Sequence, residues 1–233
     1  MWGRPSGSRP PTLPGSAPER LAAVRELIAG AARRAGREPA AAELIAVSKT
    51  HDADAVRPLL DAGQRAFGEN RVGEAAAKWP ALRQAHPDVR LHMVGALQSN
   101  KAAEAAALFD AIHSVDRPSV IDALAAARAA RGHAPQLFIQ VNIGDEPQKG
   151  GCAPGDIGPL LARARDAGLD VVGLMCLPPA DREPAPFFAL LAKLARDHRL
   201  AKLSMGMSGD FETAVQLGAT HVRVGTLLFG DRA

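Results

Sequence analysis

The chain has 233 residues, of which 47% are hydrophobic and 23% charged, an ordinary globular composition that is able to bury a sizeable core. This composition excludes a collagen-like repeat, a disulfide-stabilised scaffold and disorder throughout the chain. The net charge of +3 is small and partly confined to the first residues, so nucleic-acid binding is not expected.

The chain begins with a predicted leader and a predicted helix. Residues 1–17 are rich in Pro, Gly, Ser and Arg without apolar periodicity, which is typical of a disordered leader. From Pro18 to Gly36 apolar residues recur at helical spacing, and Gly30 or Gly36 is able to end that helix. We therefore expect the leader to be followed by one domain over residues 18–233.

After this helix, short apolar runs alternate with Ala-rich stretches of helical character. Eight runs are predicted to be strands, at residues 44–47, 65–67, 91–94, 111–115, 137–143, 171–175, 203–205 and 221–224. Helices are predicted at residues 53–62, 70–78, 99–109, 118–131, 154–167, 184–198 and 210–217, with a short tail after Gly225. Eight strand–helix units in this length fit a closed (β/α)8 barrel better than a doubly wound open sheet.

In such a barrel the chemistry belongs at the carboxyl ends of the strands. The first strand leads into Lys49, one of only six lysines beside twenty-two arginines. Desolvation at a barrel mouth lowers the pKa of an amine and favours the neutral form that attacks carbonyl groups. The alternatives are a solvated lysine or an ion-pair partner for Glu69.

The residues after the following strands are less specific indicators of function. Asn70 follows the second strand, either as the N-cap of a helix or as a hydrogen-bond donor to a ligand. Ser99 is able to cap the helix after the third strand. We expect Cys176 to be a small buried hydrophobe and not a nucleophile. The histidines are dispersed without metal-ligand spacing, so no metal site is predicted.

The loops after the seventh and eighth strands combine glycine with hydroxyl residues: Ser208 with Gly209, and Gly225 with Thr226. Barrels often bind phosphate with these two loops, through backbone N–H groups and small residues that allow close approach. These loops therefore predict a phosphate site. The alternative is helix capping without any ligand.

Arg223 alternates with Val222 and Val224 along the eighth strand, so its side chain faces opposite to theirs. If His221 and Arg223 point inward, the guanidinium reaches into the barrel mouth and requires an acceptor there. A salt bridge across the barrel is the alternative.

The two cysteines, Cys152 and Cys176, are far apart, which indicates a reducing, cytoplasmic setting. No run of about 18 apolar residues and no signal-peptide pattern is present, so we expect a soluble protein that is neither secreted nor bound to a membrane.

Together the strand-one lysine, the inward arginine and the phosphate loops describe a pocket for pyridoxal 5′-phosphate. Six ordered motifs over about residues 19–232 also resemble those of the pyridoxal-phosphate homeostasis proteins. These motifs are Ala46–Thr50, Phe67–Asn70, Leu97–Lys101, Gly173–Pro179, Ser204–Asp210 and Arg223–Thr226.

The resemblance implies a fold-type III (β/α)8 barrel similar to the N-terminal domain of alanine racemase, without that enzyme's second domain. It also implies the cofactor-binding residues: Lys49 as the Schiff-base lysine, Ser208, Gly225 and Thr226 around the phosphate, Asn70 beside the cofactor, Arg223 near its ring nitrogen, and Gly206 and Met207 in the loop after strand seven. The leader and Ala96 depart from the family pattern.

The sequence is compatible with three functions. The resemblance favours a cytoplasmic, monomeric carrier or buffer in vitamin B6 homeostasis, with apo forms of pyridoxal-phosphate enzymes as possible recipients and no catalytic residues. A racemase using the same cofactor is disfavoured, because the chain has no tyrosine to act as the second base. The third function, a cofactor-free barrel enzyme acting on a phosphorylated metabolite, leaves the pairing of Lys49 with Arg223 unexplained.

Overall fold

A computed structural model describes residues 13–230 of the chain. Within them it contains eight strands: β1 Glu43–Val47, β2 Ala66–Glu69, β3 Arg90–Met93, β4 Ala111–Val115, β5 Gln136–Val141, β6 Val171–Cys176, β7 Lys202–Ser204 and β8 His221–Val224. Nine α-helices accompany them: α1 Ala17–Arg34, α2 Ala53–Asp61, α3 Val72–Ala85, α4 Ala102–Leu108, α5 Pro118–Arg131, α6 Ile157–Asp166, α7 Ala185–Asp197, α8 Phe211–Gln216 and α9 Thr226–Phe229. Short 3-10 turns at Ser99–Lys101 and Pro154–Asp156 lead into α4 and α6.

The strands form one closed parallel barrel in chain order, and β8 pairs with β1 to complete it. Ala46 lies at the seam, aligned with Phe67 of β2 on one side and with Val224 of β8 on the other. This architecture confirms the predicted (β/α)8 barrel. All strands run in the same direction, so their carboxyl ends meet at one mouth.

Side chains alternate across the barrel wall as the strand period requires. On β8, Val222 and Val224 belong to the apolar layer between strands and helices. His221 instead packs against Phe138 inside the barrel, with ring centroids 5.2 Å apart. His221 and Arg223 therefore face the barrel interior, which is the condition under which the guanidinium reaches the mouth.

Helix α1 is the predicted extra element, and it lies over α8 and α9 beside the barrel seam. Its buried face is apolar, whereas Arg20 on its first turn donates a hydrogen bond of 2.7 Å to the Leu228 carbonyl of α9. Of the predicted leader, the structure describes residues 13–17. Leu13 packs against the core, and Ser16 forms a capping box with Glu19. Residues 1–12 of the predicted leader lie outside the described residues.

Helix α3 differs most from the predicted helices. The predicted helix ended at residue 78, ahead of Pro80, a residue that removes a helical hydrogen bond. The observed helix runs on to Ala85. Trp79 and Leu82 are both buried in the apolar layer, and this packing outweighs the cost of the proline. Among the described residues, no helix is both long and apolar enough to cross a bilayer.

Candidate functional site

A cavity of about 380 Å³ opens at the mouth of the barrel. Seven of the eight predicted site residues line it: Lys49, Asn70, Met207, Ser208, Arg223, Gly225 and Thr226. Gly209, from one of the predicted phosphate loops, also belongs to the wall. The remaining wall residues were not singled out in the sequence: Val47, His51, Val94, Leu177 and Gly230. Its size lies within the range of about 300–1,000 Å³ that is usual for small-molecule sites.

Lys49 sits on a tight turn directly after β1. The His51 N–H donates to the Ser48 carbonyl at 3.1 Å, which closes a four-residue turn with Lys49 in its second position. The third residue, Thr50, has a φ of +67°. A β-branched residue in this left-handed region is strained, so surrounding structure must hold the turn.

A buried ion pair lies behind this turn. The Lys78 ammonium of α3 is 2.6 Å from the Glu69 carboxylate of β2, and the two side chains are 8% and 0% exposed. Lys78 also donates to the carbonyls of Ser48 and His51, at 2.9 and 2.8 Å. Glu69 accepts from the Ser48 hydroxyl and the Trp79 indole as well. Glu69, which was one of the alternatives expected as an ion-pair partner of Lys49, is paired with Lys78.

Asn70 lies in the wall through a close backbone contact. A Cβ atom on Gly95, after β3, would come within 2.3 Å of the Asn70 carbonyl oxygen, so only glycine fits there. Helix α3 begins at Val72 with Arg71 as its N-cap, and the predicted alternative of Asn70 as N-cap is wrong. The side chain of Asn70 is therefore not used in capping.

The loop after β7 folds back on itself. The Met207 N–H donates to the Asp210 carboxylate at 2.6 Å, and the Met207 carbonyl accepts from the Asp210 N–H at 3.1 Å. These bonds place Ser208 and Gly209 at the tip, in the cavity wall. Gly206 lies beneath, outside the wall. With a φ of +93°, it leaves room for Ala214, which a Cβ atom would approach to 2.6 Å.

The loop after β8 is short, because α9 starts immediately at Thr226. The first N–H groups of a helix lack intrahelical acceptors, so Gly225 and Thr226 present backbone donors as well as a hydroxyl group at the mouth. Phe229 at the end of α9 stacks on His51, with ring centroids 4.4 Å apart. This contact joins the eighth loop to the turn that carries Lys49.

Arg223 reaches the cavity floor from β8 and is 5% exposed. Its guanidinium donates to the Ser204 hydroxyl at 2.6 Å and to the Cys176 carbonyl at 2.9 Å. Both partners are neutral, so the predicted alternative of a salt bridge across the barrel is not what the described residues form. Burial lowers the pKa of Arg223, while Cys176 and Asp210 act in the opposite direction.

Below Arg223, polar groups form a hydrogen-bonded chain. The Ser204 hydroxyl lies 2.8 Å from His113 Nδ1, and His113 Nε2 lies 3.0 Å from His92 Nδ1. Arg223 donates to the Ser204 hydroxyl, and the tautomers of the two rings set the direction of the hydrogen bonds from Ser204 to His113 and from His113 to His92. Burial lowers the pKa of His92 to about 3 and that of His113 well below its usual value. Both rings are therefore neutral.

The Cys176 thiol and the remaining possible metal ligands of the described chain add no reactive group to the site. Cys176 is fully buried, and burial raises the pKa of its thiol to about 12, in keeping with the predicted buried hydrophobe. Among residues 13–230 no cluster of His, Cys, Asp and Glu has the arrangement of a metal site. No acidic residue belongs to the cavity wall within this same part of the chain.

A second cavity of about 430 Å³ lies at the opposite end of the barrel. Two of its arginines are already in ion pairs, Arg65 with Asp88 and Arg90 with Glu43. Because barrel chemistry occurs at the carboxyl ends of the strands, we assign the functional site to the mouth that contains Lys49.

Sequence reasoning missed the second layer of the site. Lys78 lies in the middle of a helix, and His113 and Ser204 lie in different strands, so no short motif connects them. Of the wall residues that were missed, His51 was the easiest to find from the sequence, because it follows Lys49 by two positions. The scarcity of lysines was a signal for Lys78 as well as for Lys49.

The alanine racemase N-terminal domain model matches residues 20–233. A pyridoxal phosphate homeostasis protein of Pseudomonas aeruginosa is 43% identical over 221 residues, covering 92% of this chain and 95% of its own. PipY of Synechococcus elongatus, 40% identical, has solved structures without and with PLP bound, at TM-scores of 0.82 and 0.79, covering 92% of this chain and 100% of PipY. An alanine racemase of Clostridium difficile shares the fold at 14% identity and a TM-score of 0.71, covering 93% of this chain and 57% of the racemase. The chain therefore belongs to the alanine racemase N-terminal domain family and, within it, to the pyridoxal phosphate homeostasis proteins.

Proposed function

We propose that this protein binds pyridoxal 5′-phosphate at the barrel mouth and serves in its homeostasis as a carrier or buffer. The observation that carries this proposal is the cavity wall, which contains Lys49 and Arg223 and, among the described residues, no acidic side chain. Two cations without a carboxylate suit a small anionic ligand. A single cytoplasmic domain over residues 18–233 carries the function.

The described residues fit this cofactor group by group. When bound, pyridoxal 5′-phosphate supplies an aldehyde that condenses with a primary amine. Lys49 is the lysine in the wall, and its turn sets the amine at the mouth. Ser208 and Thr226 offer hydroxyls from two facing loops, beside the backbone donors of Gly225 and Thr226, and these groups hold the phosphate. Met207 lines the cavity beside them, with its own N–H donated to Asp210.

Arg223 and Asn70 orient the ring. The guanidinium is held from below by Ser204 and Cys176, so its remaining N–H groups are directed by a rigid floor. An arginine does not give up a proton to the ring nitrogen, which leaves that nitrogen a hydrogen-bond acceptor. Asn70 lines the same cavity as Lys49. The role of Gly206 is then to shape the loop that carries Ser208.

The proposal assigns no catalytic residue. The chain has no tyrosine, so the paired base of a racemase is missing, and Arg223 weakens the ring as an electron sink. An open mouth admits water and small amines, which release requires and which an enzyme excludes. Recipients are then apo forms of pyridoxal-phosphate enzymes, and the protein acts as a monomer.

Borohydride reduction of the protein with pyridoxal 5′-phosphate, followed by peptide mapping, tests the site. We expect the pyridoxyl group on Lys49 and its loss in Lys49→Ala. Lys101 and Lys149 serve as internal controls, since both lie outside the cavity wall. Label mainly on either of these residues overturns the assignment.

Transfer separates the carrier from an enzyme. Stoichiometric loaded protein should activate an apo-enzyme in the presence of a trap for free cofactor. A screen of amino acids by chiral chromatography should show no turnover near one per second, the lower end of the usual enzyme range. Turnover at that rate, abolished by Lys49→Ala, would favour the racemase-like alternative.

A further inference from the structure

The turn that carries Lys49 is held in a strained conformation from behind, by side chains outside the cavity wall. Thr50, the residue after Lys49, has a φ of +67°, which costs a β-branched residue free energy. The closing hydrogen bond from His51 N–H to the Ser48 carbonyl does not by itself select this geometry, because many turns form such a bond. A further restraint is needed.

The ammonium of Lys78 supplies that restraint. Its three protons match three acceptors: the Ser48 carbonyl at 2.9 Å, the His51 carbonyl at 2.8 Å and Glu69 Oε1 at 2.6 Å. The two carbonyls flank the turn, so one buried cation ties both of its ends. Glu69 also accepts from the Ser48 hydroxyl at 2.7 Å, which attaches the turn a second time.

The pair itself is fixed by packing. The Glu69 side chain is fully buried and accepts from the Trp79 indole at 2.9 Å, while Lys78 lies on the same turn of α3 as Trp79. The rigid helix and strand thus transmit their position to the turn. Neither Lys78 nor Glu69 belongs to the cavity wall, so neither touches a bound ligand.

We propose that Lys78 and Glu69 form a clamp that holds the strained turn Ser48–His51, making both positioning residues for Lys49. This inference rests on the proposed role of Lys49 and deepens it. Its consequence is that the amine faces the cavity before any ligand arrives, so less conformational freedom is lost when an aldehyde condenses with it. Without the clamp the Thr50 strain is released, and the turn leaves this conformation.

The test uses the full chain with Glu69→Gln and Lys78→Met combined. This variant removes the buried charges together, which avoids leaving Glu69 as an uncompensated ion, and it keeps an amide oxygen for Ser48 and Trp79. In the ligand-free protein, the His51 amide should exchange with deuterium about tenfold faster than in wild type. Exchange at the wild-type rate would overturn the clamp, whatever Lys49 binds.

The second readout is the rate at which the apo-protein gains the absorbance of bound pyridoxal 5′-phosphate. We expect it to fall about tenfold in the double variant, as about 1.4 kcal/mol of released strain predicts. Adding Thr50→Gly should restore it to within about threefold, because glycine adopts positive φ without strain. No restoration would overturn the proposal.

An exposed ion pair on α7 provides the matched control. Lys193→Met with Asp197→Asn likewise removes one positive and one negative charge, and it should leave the exchange of the His51 amide and the rate of cofactor binding unchanged. The two hypotheses fail separately. Wild-type protein that forms no adduct on Lys49 contradicts the proposed function, and the exchange of the His51 amide still decides the clamp. An adduct that forms at the same rate in wild type and double variant contradicts the clamp alone.

Discussion

Two regions next to the cavity each bury a cation, and they treat it differently. Between β2 and α3, Lys78 forms an ion pair with Glu69 at 2.6 Å, and all three of its N–H groups donate to acceptors inside the protein. Inside the barrel, Arg223 has only a hydroxyl and a carbonyl as partners and lines the cavity. The first charge is thus used for structure, whereas the second remains available to a ligand.

The difference also has a physical reason in the groups themselves. An ammonium with three short contacts is fully satisfied, whereas a guanidinium has five donors in a planar fork. Arg223 uses part of that fork on Ser204 and Cys176, and the rest faces the mouth. Burying a cation without a carboxylate costs free energy, so such a residue is expected mainly where function requires it.

The largest expected effect tests this contrast directly. Lys78→Met should lower the free energy of unfolding of the ligand-free protein by about 3–5 kcal/mol, because Glu69 is left buried without its partner. Arg223→Met should cost less, about 1–3 kcal/mol, because only neutral acceptors lose a donor. Urea unfolding measures both. Equal losses would show that Arg223 is as tightly built into the fold as Lys78.

The histidines beneath Arg223 make stability depend on pH. Burial lowers the pKa of His92 to about 3 and that of His221 to about 4, and holds that of His113 well below 6.5. The unfolded chain therefore binds more protons below pH 6.5, and stability is present above that pH and lost as the pH falls toward the folded values.

Between pH 7.5 and 5.5 the three histidines should together cost about 4 kcal/mol of unfolding free energy, at about 1.4 kcal/mol per pKa unit for each. His113→Gln removes one titrating ring, so its stability should fall by about a third less over the same interval. Urea unfolding at the two pH values measures this. A slope unchanged by His113→Gln would mean that His113 has the same pKa in the fold as in the unfolded chain.

Two variants test how the cavity residues contribute to ligand affinity. Ser208→Ala with Thr226→Ala should weaken binding of pyridoxal 5′-phosphate about a hundredfold, because hydrogen bonds to a charged group are lost, and should leave binding of pyridoxal nearly unchanged. Arg223→Met should weaken both ligands alike, since we propose that it faces the ring. Fluorescence titration gives the Kd values. Equal affinity of the wild-type protein for pyridoxal and its phosphate contradicts the phosphate site.

The smallest effect is expected at Thr50. Thr50→Gly relieves the strain of a φ of +67° but gives the unfolded chain more freedom, so the two contributions nearly cancel. We expect a change in unfolding free energy within about 1 kcal/mol, measured in urea. A loss well above that would show that the Thr50 side chain has a structural role beyond its backbone angle.

Sequence reasoning performed best where a local pattern has one physical meaning. The alternation of β8 placed Arg223 on the face opposite to Val222 and Val224, because successive side chains in a strand must face opposite ways. It performed worst where two local meanings compete. Asn70 has a typical capping residue type, yet the close contact with Gly95, 25 positions away, decides where its backbone lies. The end of α3 was also set by packing of Trp79 and Leu82 and not by Pro80.

From the sequence alone we predicted the barrel, the barrel mouth as the place of the candidate site, and seven of the residues that line its cavity. This was possible because hydrophobic period, glycine and hydroxyl positions are local properties of the chain. Only the tertiary structure decided which groups stand behind the wall: Lys78 with Glu69, and Arg223 with Ser204 and the buried histidines. These partnerships join residues far apart in the chain, and a buried polar group takes whichever partner the closed barrel brings within hydrogen-bond distance.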